Sequence, residues 1–436
     1  MTTDMQNVFR KLSEARGLWA GAEIATHQDL SALFAVRTAE LYLRKGGRFG
    51  LVLPNAAIDR EHYAGFRKGN YGDASGRLGL TFEPSWDLRR IRPHFFPRAA
   101  CVVFGARTEM GSNMTDKASI WTGRLSRTNA PWSEASNSLS QTEGVVRRAG
   151  KLTRSPYASA FTQGATLVPR LAFIVEEQEA PPLGLPSGRL AVRSSRSVQE
   201  KKPWKGLPGL SGVVETEFVR PLYTGDNIFA YRTGEPLRAV VPCNKDRLLE
   251  PGEIELHPGL QQWWERAEDT WNANRSTGRL SLKERLDYQS TLTKQLPVPP
   301  LRVVYNRAGM HVVAAKITNR RALIASGLYW AAVHSENEAN YLCAIMNAPA
   351  TTDLARPFMS YGKDERDIHK HIFEVPIPTF DPAKIGVLGA QAERLVRTFT
   401  LNLNVHFSAT RRHIRDFLAQ TEVGREIDEL VYELLS

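Results

Sequence analysis

The stretch that most constrains the fold is KGGRFGLVLPN at residues 45–55, where an apolar strand lies between two strong chain-breaking signals. Before it, QDLSALFAVRTAELYLRK at residues 28–45 spaces its apolar residues close to a helical period. Gly46 and Gly47 end this helix, and Phe49 to Leu53 form an apolar run typical of a strand covered on both faces. A helix, a glycine turn and a buried strand predict a layered α/β domain. The unit stands only some fifty residues into the chain, so the strands that normally precede it are missing from the sequence.

A second buried strand is predicted at residues 100–105, ACVVFG, and a short helix at Ala64 to Arg67. The first hundred residues therefore predict a partial α/β layer of two or three strands and at least two helices. Such a layer is an incomplete core by itself.

The composition and the predicted secondary structure change twice along the rest of the chain. Residues from about 110 to 165 are rich in Ser, Thr, Asn and Gly. Strand signals then dominate, including residues 165–175, and helices are predicted at 259–274, 338–347, 385–398 and from about 410 to the end. We predict four segments: a partial Rossmann-like domain at 1–110, a polar linker or insertion at 111–165, a mixed α+β domain at 166–382, and C-terminal helices at 383–436.

The charge balance favours a polyanionic partner. The 57 Lys and Arg residues exceed the 46 Asp and Glu residues, which leaves a net charge of +11. Nucleic acid is the commonest partner of so basic a chain. An ordinary soluble protein that happens to be basic explains the charge equally well.

Cysteine usage and hydropathy point to a cytoplasmic protein. The three cysteines, Cys101, Cys243 and Cys343, are too far apart to predict a disulfide framework or a zinc site. No segment predicts a signal peptide or a membrane span. The His-x-His at residues 369–371 lacks a third ligand with recognisable spacing, so we expect no metal.

The helix–Gly–Gly–strand–Pro–Asn unit resembles the fifth strand and its preceding helix in class I S-adenosylmethionine-dependent DNA methyltransferases. The resemblance is to the adenine-specific enzymes of type IIG and related restriction–modification systems, whose last strand is similar to ACVVFG. Further segments follow in the family's order: VRPLYTGDNIFAYR at 219–232, PLRVVYN at 300–306, YLCAIMNA at 341–348, KHIFEVPIPTF at 370–380 and REIDELVYEL at 425–434. The first of them resembles the element that opens the family's target-recognition domain.

The resemblance does not extend to the family's cofactor loop and catalytic loop. No segment matches the aromatic–glycine cofactor loop or the [DNS]-P-P-[YFW] catalytic loop, which hydrogen-bonds the adenine amine and stacks the flipped base. The closest imitations, APPL at 180–183 and VPPL at 298–301, lie downstream and lack the polar and aromatic residues. We therefore expect no catalytic residue in this chain, and S-adenosylmethionine only if a partner polypeptide completes the fold.

The resemblance also implies candidate site residues. Tyr63 and Phe66 are candidates for stacking on a flipped base, although ordinary packing is the favoured interpretation. Candidates for the wall of the cofactor pocket are His27, Asp29, Pro54 and Asn55, and for His27 and Asp29 a helix cap is the favoured interpretation. Contacts to double-stranded DNA are expected from basic residues of the second domain: Arg220, Arg232, Arg302, Arg307, Lys316, Arg320 and Arg321. Asn306 and Asn319 are weaker candidates for reading adenine.

The sequence therefore predicts the C-terminal portion of a site-specific adenine DNA methyltransferase in restriction–modification or phage defence. It would supply target recognition and complete the catalytic fold on a partner carrying the N-terminal motifs. Two alternatives remain open. One is a stand-alone DNA-binding specificity subunit, and the other is a truncated, inactive remnant.

Overall fold

The computed structural model describes residues 3–19, 30–72, 77–93, 95, 100–146, 155–179, 184–198, 200–275, 280–356, 367–381, 384–400 and 405–435. The chain divides into two compact units. Unit 1 comprises Met1–Thr153 and Asp353–Asp367, and unit 2 comprises Arg154–Thr352 and Ile368–Ser436.

The structure is mixed α/β with several sheets. The α-helices are α1 (Thr3–Glu14), α2 (Leu30–Tyr42), α3 (Ala56–Asp59), α4 (Ala64–Arg67), α5 (Trp132–Ser138), α6 (Arg170–Phe173), α7 (Pro251–Ile254), α8 (Pro258–Asn274), α9 (Leu282–Leu286), α10 (Glu336–Asn347), α11 (Pro349–Ala355), α12 (Ile368–His371), α13 (Lys384–Thr398), α14 (Phe407–Gln420) and α15 (Glu422–Leu435). The strands of unit 1 are β1 (Arg48–Pro54), β2 (Asn70–Tyr71), β3 (Leu78–Phe82), β4 (Ser85–Arg92), β5 (Ala100–Thr108), β6 (Lys117–Arg124) and β7 (Leu139–Val145). The strands of unit 2 are β8 (Thr162–Gln163), β9 (Ile174–Glu177), β10 (Arg189–Ser194), β11 (Ser211–Glu215), β12 (Val219–Tyr223), β13 (Ile228–Phe229), β14 (Arg232–Thr233), β15 (Leu237–Val240), β16 (Arg302–Asn306), β17 (Ala314–Ile317), β18 (Leu323–Ile324) and β19 (Leu328–Ala332).

Strand β5 is the centre of the unit 1 sheet. Strand β1 runs antiparallel to it along one edge, from Arg48 opposite Ala106 to Pro54 opposite Ala100. Strands β3 and β4 follow one another along the other edge, both antiparallel to β5. Strand β4 then pairs in parallel with β6, which pairs antiparallel with β7. The strand order β1–β5–β4 therefore places β1 at an edge of the sheet.

Helices α2, α3 and α4 contribute to the unit 1 core on one face of the sheet. Leu53 of β1 and Cys101 and Val103 of β5 alternate toward this core, and they pack with Leu33 and Val36 of α2. The period of two along the strands and of about 3.6 along the helix matches the burial of these residues. The predicted helix at 28–45 and the strands at 49–53 and 100–105 are confirmed as α2, β1 and β5.

Two parts of unit 1 differ from the prediction. The segment 111–165 was predicted as a polar linker or insertion, but its part within unit 1 contains strands β6 and β7, which extend the sheet. Its Ser and Thr residues take part in this pairing, and the hydroxyls of Thr122 and Ser140 lie 2.7 Å apart across the two strands. Strand β1 was expected to be covered on both faces, but Val52 is 53% exposed because the described residues cover one face only.

The described residues of unit 2 form three sheets. The largest has six strands in the order β11-β10-β9-β15-β12-β18, the second has four in the order β17-β16-β19-β8, and β13 pairs with β14. Helix α8 packs beside β11, and its Trp263 is 1% exposed and donates its indole N–H to the Ala172 carbonyl at 2.9 Å. The helix begins where Glu215 accepts the N–H groups of Gly259 and Leu260, as expected for a carboxylate at a helix N-terminus.

Two predictions in unit 2 need correction. The strand predicted over residues 165–175 begins only at Ile174, because the chain forms the short helix α6 after Pro169. The single helix predicted from about residue 410 to the end is two helices, α14 and α15, which are separated at Thr421. The predicted helices at 259–274, 338–347 and 385–398 are confirmed as α8, α10 and α13.

Candidate functional site

The first candidate site is an uncovered surface of unit 1, which we call the β1 edge surface. It consists of strand β1 and the outer stripe of helix α2 formed by Leu30, Phe34 and Leu41. Among the described residues, β1 pairs with β5 on one side and with no strand on the other. The three α2 side chains lie within one narrow stripe at helical spacing, and each is more than half exposed, Phe34 by 60%.

An open strand edge and an exposed apolar stripe are both features that proteins normally cover. Edge strands present unpaired N–H and C=O groups that can pair with another strand. Helix α2 is apolar on two opposite faces, since Leu33 and Val36 are buried against the sheet while the Phe34 stripe is exposed. A helix with two apolar faces is typical of an element buried on both sides. The β1 edge surface is therefore suited to receive another strand together with its covering layer.

The carboxyl end of β1 leads into a buried polar cluster. Asn55 is fully buried, and Asp59 and Asp87 are each 3% exposed. Arg89 connects the two carboxylates, with Nη1 3.0 Å from Asp59 Oδ2 and Nη2 2.6 Å from Asp87 Oδ2. The amide orientation that satisfies both Asn55 atoms donates to Asp87 Oδ1 at 3.1 Å and accepts from Arg89 Nε at 3.2 Å. The cluster thus fixes the turn that follows Pro54.

Burial destabilises the charged form of the Asp59 carboxylate. Burial raises its pKa, and the positive charges of Arg60 and Arg89 oppose that shift without cancelling it. Its Oδ1 atom accepts no hydrogen bond within the described part of the chain. The aspartate therefore holds a proton more tightly in the folded protein than in the unfolded chain.

The predicted base-stacking and cofactor-wall residues occupy different environments. Tyr63 and Phe66 are each 1% exposed; Tyr63 lies with its hydroxyl 2.6 Å from Ser31 Oγ, and Phe66 packs on Phe82. The packing interpretation accounts for both, because neither ring face is open to a base. Pro54 and Asn55 lie at the end of β1 beside the buried cluster. His27 and Asp29 lie outside the described residues.

Four of the predicted DNA contacts are engaged within unit 2. Arg220 and Arg302 are buried, at 5% and 0% exposed, so neither guanidinium reaches solvent. Arg232 donates to the Phe399 carbonyl at 2.7 Å after α13. Lys316 forms ion pairs with Glu336 at 2.6 Å and with Glu393 at 2.7 Å. These four side chains are buried or bound to partners inside unit 2, so they are not available to contact DNA.

Three of the predicted DNA contacts lie at the surface. Arg307 and Arg320 are exposed, and Arg321 is exposed but donates to the Thr216 carbonyl at 3.0 Å. Asn306, a weaker candidate, is buried and spans its own turn by donating to the Ala308 and His311 carbonyls. Arg307 and Arg320 therefore keep the side-chain freedom that a nucleic-acid contact needs.

The sequence analysis missed the buried Asp59–Arg89–Asp87 cluster. Its signal was present in WDLRRIR at residues 86–92, where the residues alternate in burial along β4. A strand assigned there would have placed Asp87 toward the core with Cys101 opposite it. No strand was predicted there because the charged residues hid the alternation.

His369 and His371, the His-x-His pair of the sequence, lie in helix α12. No group of three His, Cys, Asp or Glu residues in the described ranges could hold an ion. The His369 ring stacks on Tyr329 at 5.1 Å, and its backbone N–H donates to the Arg307 carbonyl at 3.3 Å. None of the helices among the described residues is long and apolar enough to cross a bilayer.

The fold resembles that of restriction–modification enzymes. The type IIL restriction–modification enzyme MmeI, solved in complex with DNA, has a TM-score of 0.54 and 9% sequence identity over 100% of this chain. The type IIG restriction endonuclease BpuSI has a TM-score of 0.33 and 12% identity over 99% of this chain, and the DrdV–DNA complex has 0.34 and 9% over 89%.

The chain spans about half the length of these proteins, covering 52% of MmeI, 52% of BpuSI and 42% of DrdV. At such low identity the likeness to MmeI is one of fold. No family profile matches the sequence. No curated protein sequence matches it either.

Proposed function

We propose that this chain is the C-terminal portion of a site-specific adenine DNA methyltransferase of a restriction–modification or phage-defence system. Unit 1 supplies the last strands of the catalytic fold, and unit 2 is the target-recognition domain. A polypeptide segment outside these 436 residues supplies the cofactor loop and the Asn-Pro-Pro-aromatic loop. That segment belongs either to the same protein or to a partner chain.

The observation that carries this proposal is the β1 edge surface. The order β1–β5–β4 has the antiparallel relations expected of the fifth, seventh and sixth strands of a class I methyltransferase. The neighbour of the fifth strand in that fold carries the catalytic loop at its carboxyl end. In this chain the corresponding position is the open side of β1, and helix α2, which carries the exposed stripe, packs beside β1. The place where the completing strand would lie is the place that the described residues leave uncovered.

Among the described residues, the carboxylates beside β1 are not available to bind the ribose of S-adenosylmethionine. A carboxylate commonly binds the ribose in nucleotide-binding α/β folds, but Asp59 and Asp87 are both engaged by Arg89. The cofactor therefore belongs to the completing segment, and no step of methyl transfer is assigned to a residue of this chain. Its own contribution is a rigid turn after Pro54 and a surface that selects the DNA site.

A stand-alone specificity subunit is the rival proposal. It would need no open strand edge, and its unit 1 surface would be polar like that of other soluble domains. The exposed Leu30, Phe34 and Leu41 stripe favours the completed enzyme over this rival. A truncated remnant would keep the same exposed stripe, but it would bind DNA only weakly and with strong salt dependence.

The test is reconstitution of methyl transfer. The chain is mixed with the polypeptide segment encoded immediately upstream, in the same or a separate reading frame, together with duplex DNA and radiolabelled S-adenosylmethionine. We expect label on the adenine amino group only when both polypeptides are present. Absence of label together with absence of a complex between the two polypeptides would end the proposal.

A further inference from the structure

The loop at residues 318–322, TNRRA, connects two different sheets of unit 2. It leaves β17 of the four-stranded sheet and enters β18 of the six-stranded sheet. Strand β18 runs parallel to β12, with Leu222 opposite Leu323, so Arg220 lies beside the end of the loop. Strand β16 pairs with β17, with Arg302 opposite Ile317, so Arg302 lies beside its start.

The buried Arg302 and Arg220 side chains donate hydrogen bonds to the backbone of the loop. Arg302 donates Nη2–H to the Asn319 carbonyl at 2.9 Å, and Arg220 donates Nε–H to the Arg321 carbonyl at 2.9 Å. These carbonyls belong to the residues on either side of Arg320. The backbone that carries Arg320 is therefore fixed at both ends, once from each sheet.

The neighbours of Arg320 are fixed as well. Asn319 Oδ1 accepts the Arg321 N–H at 2.8 Å, and the Asn319 carbonyl accepts the Ala322 N–H at 3.2 Å. Arg321 reaches away from the loop to the Thr216 carbonyl at 3.0 Å. Arg320 is exposed, and no ion pair or hydrogen bond of its side chain occurs among the described residues.

Burial of the Arg302 guanidinium costs free energy. Its side chain is 0% exposed, and its Nε and Nη1 atoms have no hydrogen-bond partner among the described residues. Burial, with Arg220 nearby, lowers its pKa to about 10. A methionine would fill similar volume without burying a charge. A buried charge with so few partners is better explained by the loop geometry that it fixes than by a gain in stability.

We propose that Arg320 is a specificity-determining residue that reads a guanine in double-stranded DNA, and that Arg302 and Arg220 are positioning residues that fix its direction. The inference rests on the proposed function and deepens it. Arginine pairs with guanine O6 and N7 through two parallel hydrogen bonds, which require a defined approach. A phosphate contact needs no such precision, because charge attraction tolerates a flexible side chain. The fixed backbone on both sides of Arg320 fits base reading better.

The test is selection of bound sequences from duplex DNA with a randomised central segment, using the 436-residue chain. The variants are Arg320→Ala, Arg320→Lys and Arg302→Met. Arg412→Ala is the matched control, because it removes one exposed positive charge of unit 2 from α14, an element that does not carry the loop. Binding to the selected site and to the same site with each guanine replaced gives the preference at each position.

We expect the wild-type chain and Arg412→Ala to select the same site. Arg320→Ala and Arg320→Lys should lose a preference of about 5- to 150-fold for guanine at one position and keep it elsewhere. The lysine variant should retain overall DNA affinity, because it keeps the charge but not the planar fork. Arg302→Met should weaken the preference at that same position.

Two results would overturn the inference, and they differ in what else they overturn. If the wild-type chain selects a site and Arg320→Ala selects it unchanged, Arg320 does not read a base, and the proposed function stands. If the wild-type chain selects no sequence at all, target recognition by this chain fails and the role of Arg320 fails with it.

Discussion

Leu51 of β1 lies opposite Val103 of β5, with Val103 in the unit 1 core and Leu51 packed against it, yet the other edge of β1 has no strand beside it within the described residues. Strand β1 is thus anchored from one side only. In the proposed enzyme, this open edge is where the rest of the parallel sheet joins. The predictions below test that edge, the buried groups around it and the loop of unit 2.

Replacing Phe34 by glutamate should weaken binding of the completing segment while leaving the stability of the folded chain nearly unchanged. Phe34 is 60% exposed, so the free energy of unfolding should change by less than about 0.5 kcal/mol, as for other surface substitutions. Affinity for the completing segment should fall at least about tenfold, because burial of a phenylalanine contributes about 1.5–3 kcal/mol. Thermal unfolding and titration calorimetry measure the two effects.

Val145→Glu is the matched control for this substitution. Val145 is 68% exposed and lies on β7, at another edge of the sheet, so its replacement should leave both measurements unchanged. Equal loss of affinity in the two variants would indicate a general charge effect and would contradict docking at the β1 edge surface.

The three cysteines should be unreactive in the native chain. Cys101, Cys243 and Cys343 are free and buried, and burial raises the pKa of each thiol, that of Cys343 to about 12. The reactive species is the thiolate, which is scarce at about pH 8 when the pKa is raised. A chromogenic disulfide reagent should therefore label no thiol before unfolding and all three in denaturant. Rapid labelling of one thiol in the native state would show that its burial is not maintained.

The stability of unit 1 should depend on pH through Asp59. Burial raises the pKa of this group above its ordinary value of 3.8, so the folded state binds the proton more tightly than the unfolded state. The stability that Asp59 contributes is therefore fully present below about pH 4 and is lost as pH rises through its folded pKa. Relative to Asp59→Asn, the wild-type chain should lose stability over this range. Thermal unfolding of both at several pH values measures the difference.

The opposite dependence of stability on pH would also be informative. If the wild-type chain gains stability relative to Asp59→Asn as pH rises from about 4, attraction to Arg60 and Arg89 outweighs the cost of burial. The expected sign for Asp59 would then be wrong.

Arg302→Met should loosen the 318–322 loop without unfolding unit 2. Removing a buried guanidinium with two unpaired nitrogens should leave stability unchanged or raise it by up to about 3 kcal/mol. Loss of the hydrogen bond to the Asn319 carbonyl should make the bond after Arg320 more accessible to trypsin. Limited proteolysis followed by mass spectrometry of the fragments measures the rate at that bond. A lower melting temperature with unchanged cleavage at Arg320 would mean that Arg302 acts only in the core.

The elements that could be predicted from the sequence are those in which apolar residues repeat at a regular spacing. The α2–β1 unit and helix α8, with its buried Trp263, Trp264 and Trp271, were found because their apolar spacing is regular. Strands β4, β6 and β7 were missed, because their residues are polar or charged and their pairing is set by neighbouring strands. Strand formation there depends on tertiary context more than on propensity.

The functional residues were harder to predict than the fold. Arg220, Arg302 and Lys316 were chosen for their charge, but two of them are buried and the third is held by Glu336 and Glu393. The sequence does not distinguish an arginine whose guanidinium contacts a partner from one whose guanidinium donates to a carbonyl inside the protein. Arg320 differs from Arg321, which is also exposed, in that its side chain makes no hydrogen bond or ion pair among the described residues, while Arg302 and Arg220 hold the carbonyls on either side of it. No sequence pattern reveals this difference.

Hydrogen exchange of β1, measured by mass spectrometry with and without the completing segment, tests the central claim most directly. We expect the amides of residues 48–54 and the helix at residues 30–42 to become protected when the segment is added. Strand β7, at residues 139–145, should exchange at the same rate in both samples. Protection of β1 would mean that a strand has joined its open edge. Unchanged exchange in β1, in a sample where the two polypeptides are bound, would contradict the account.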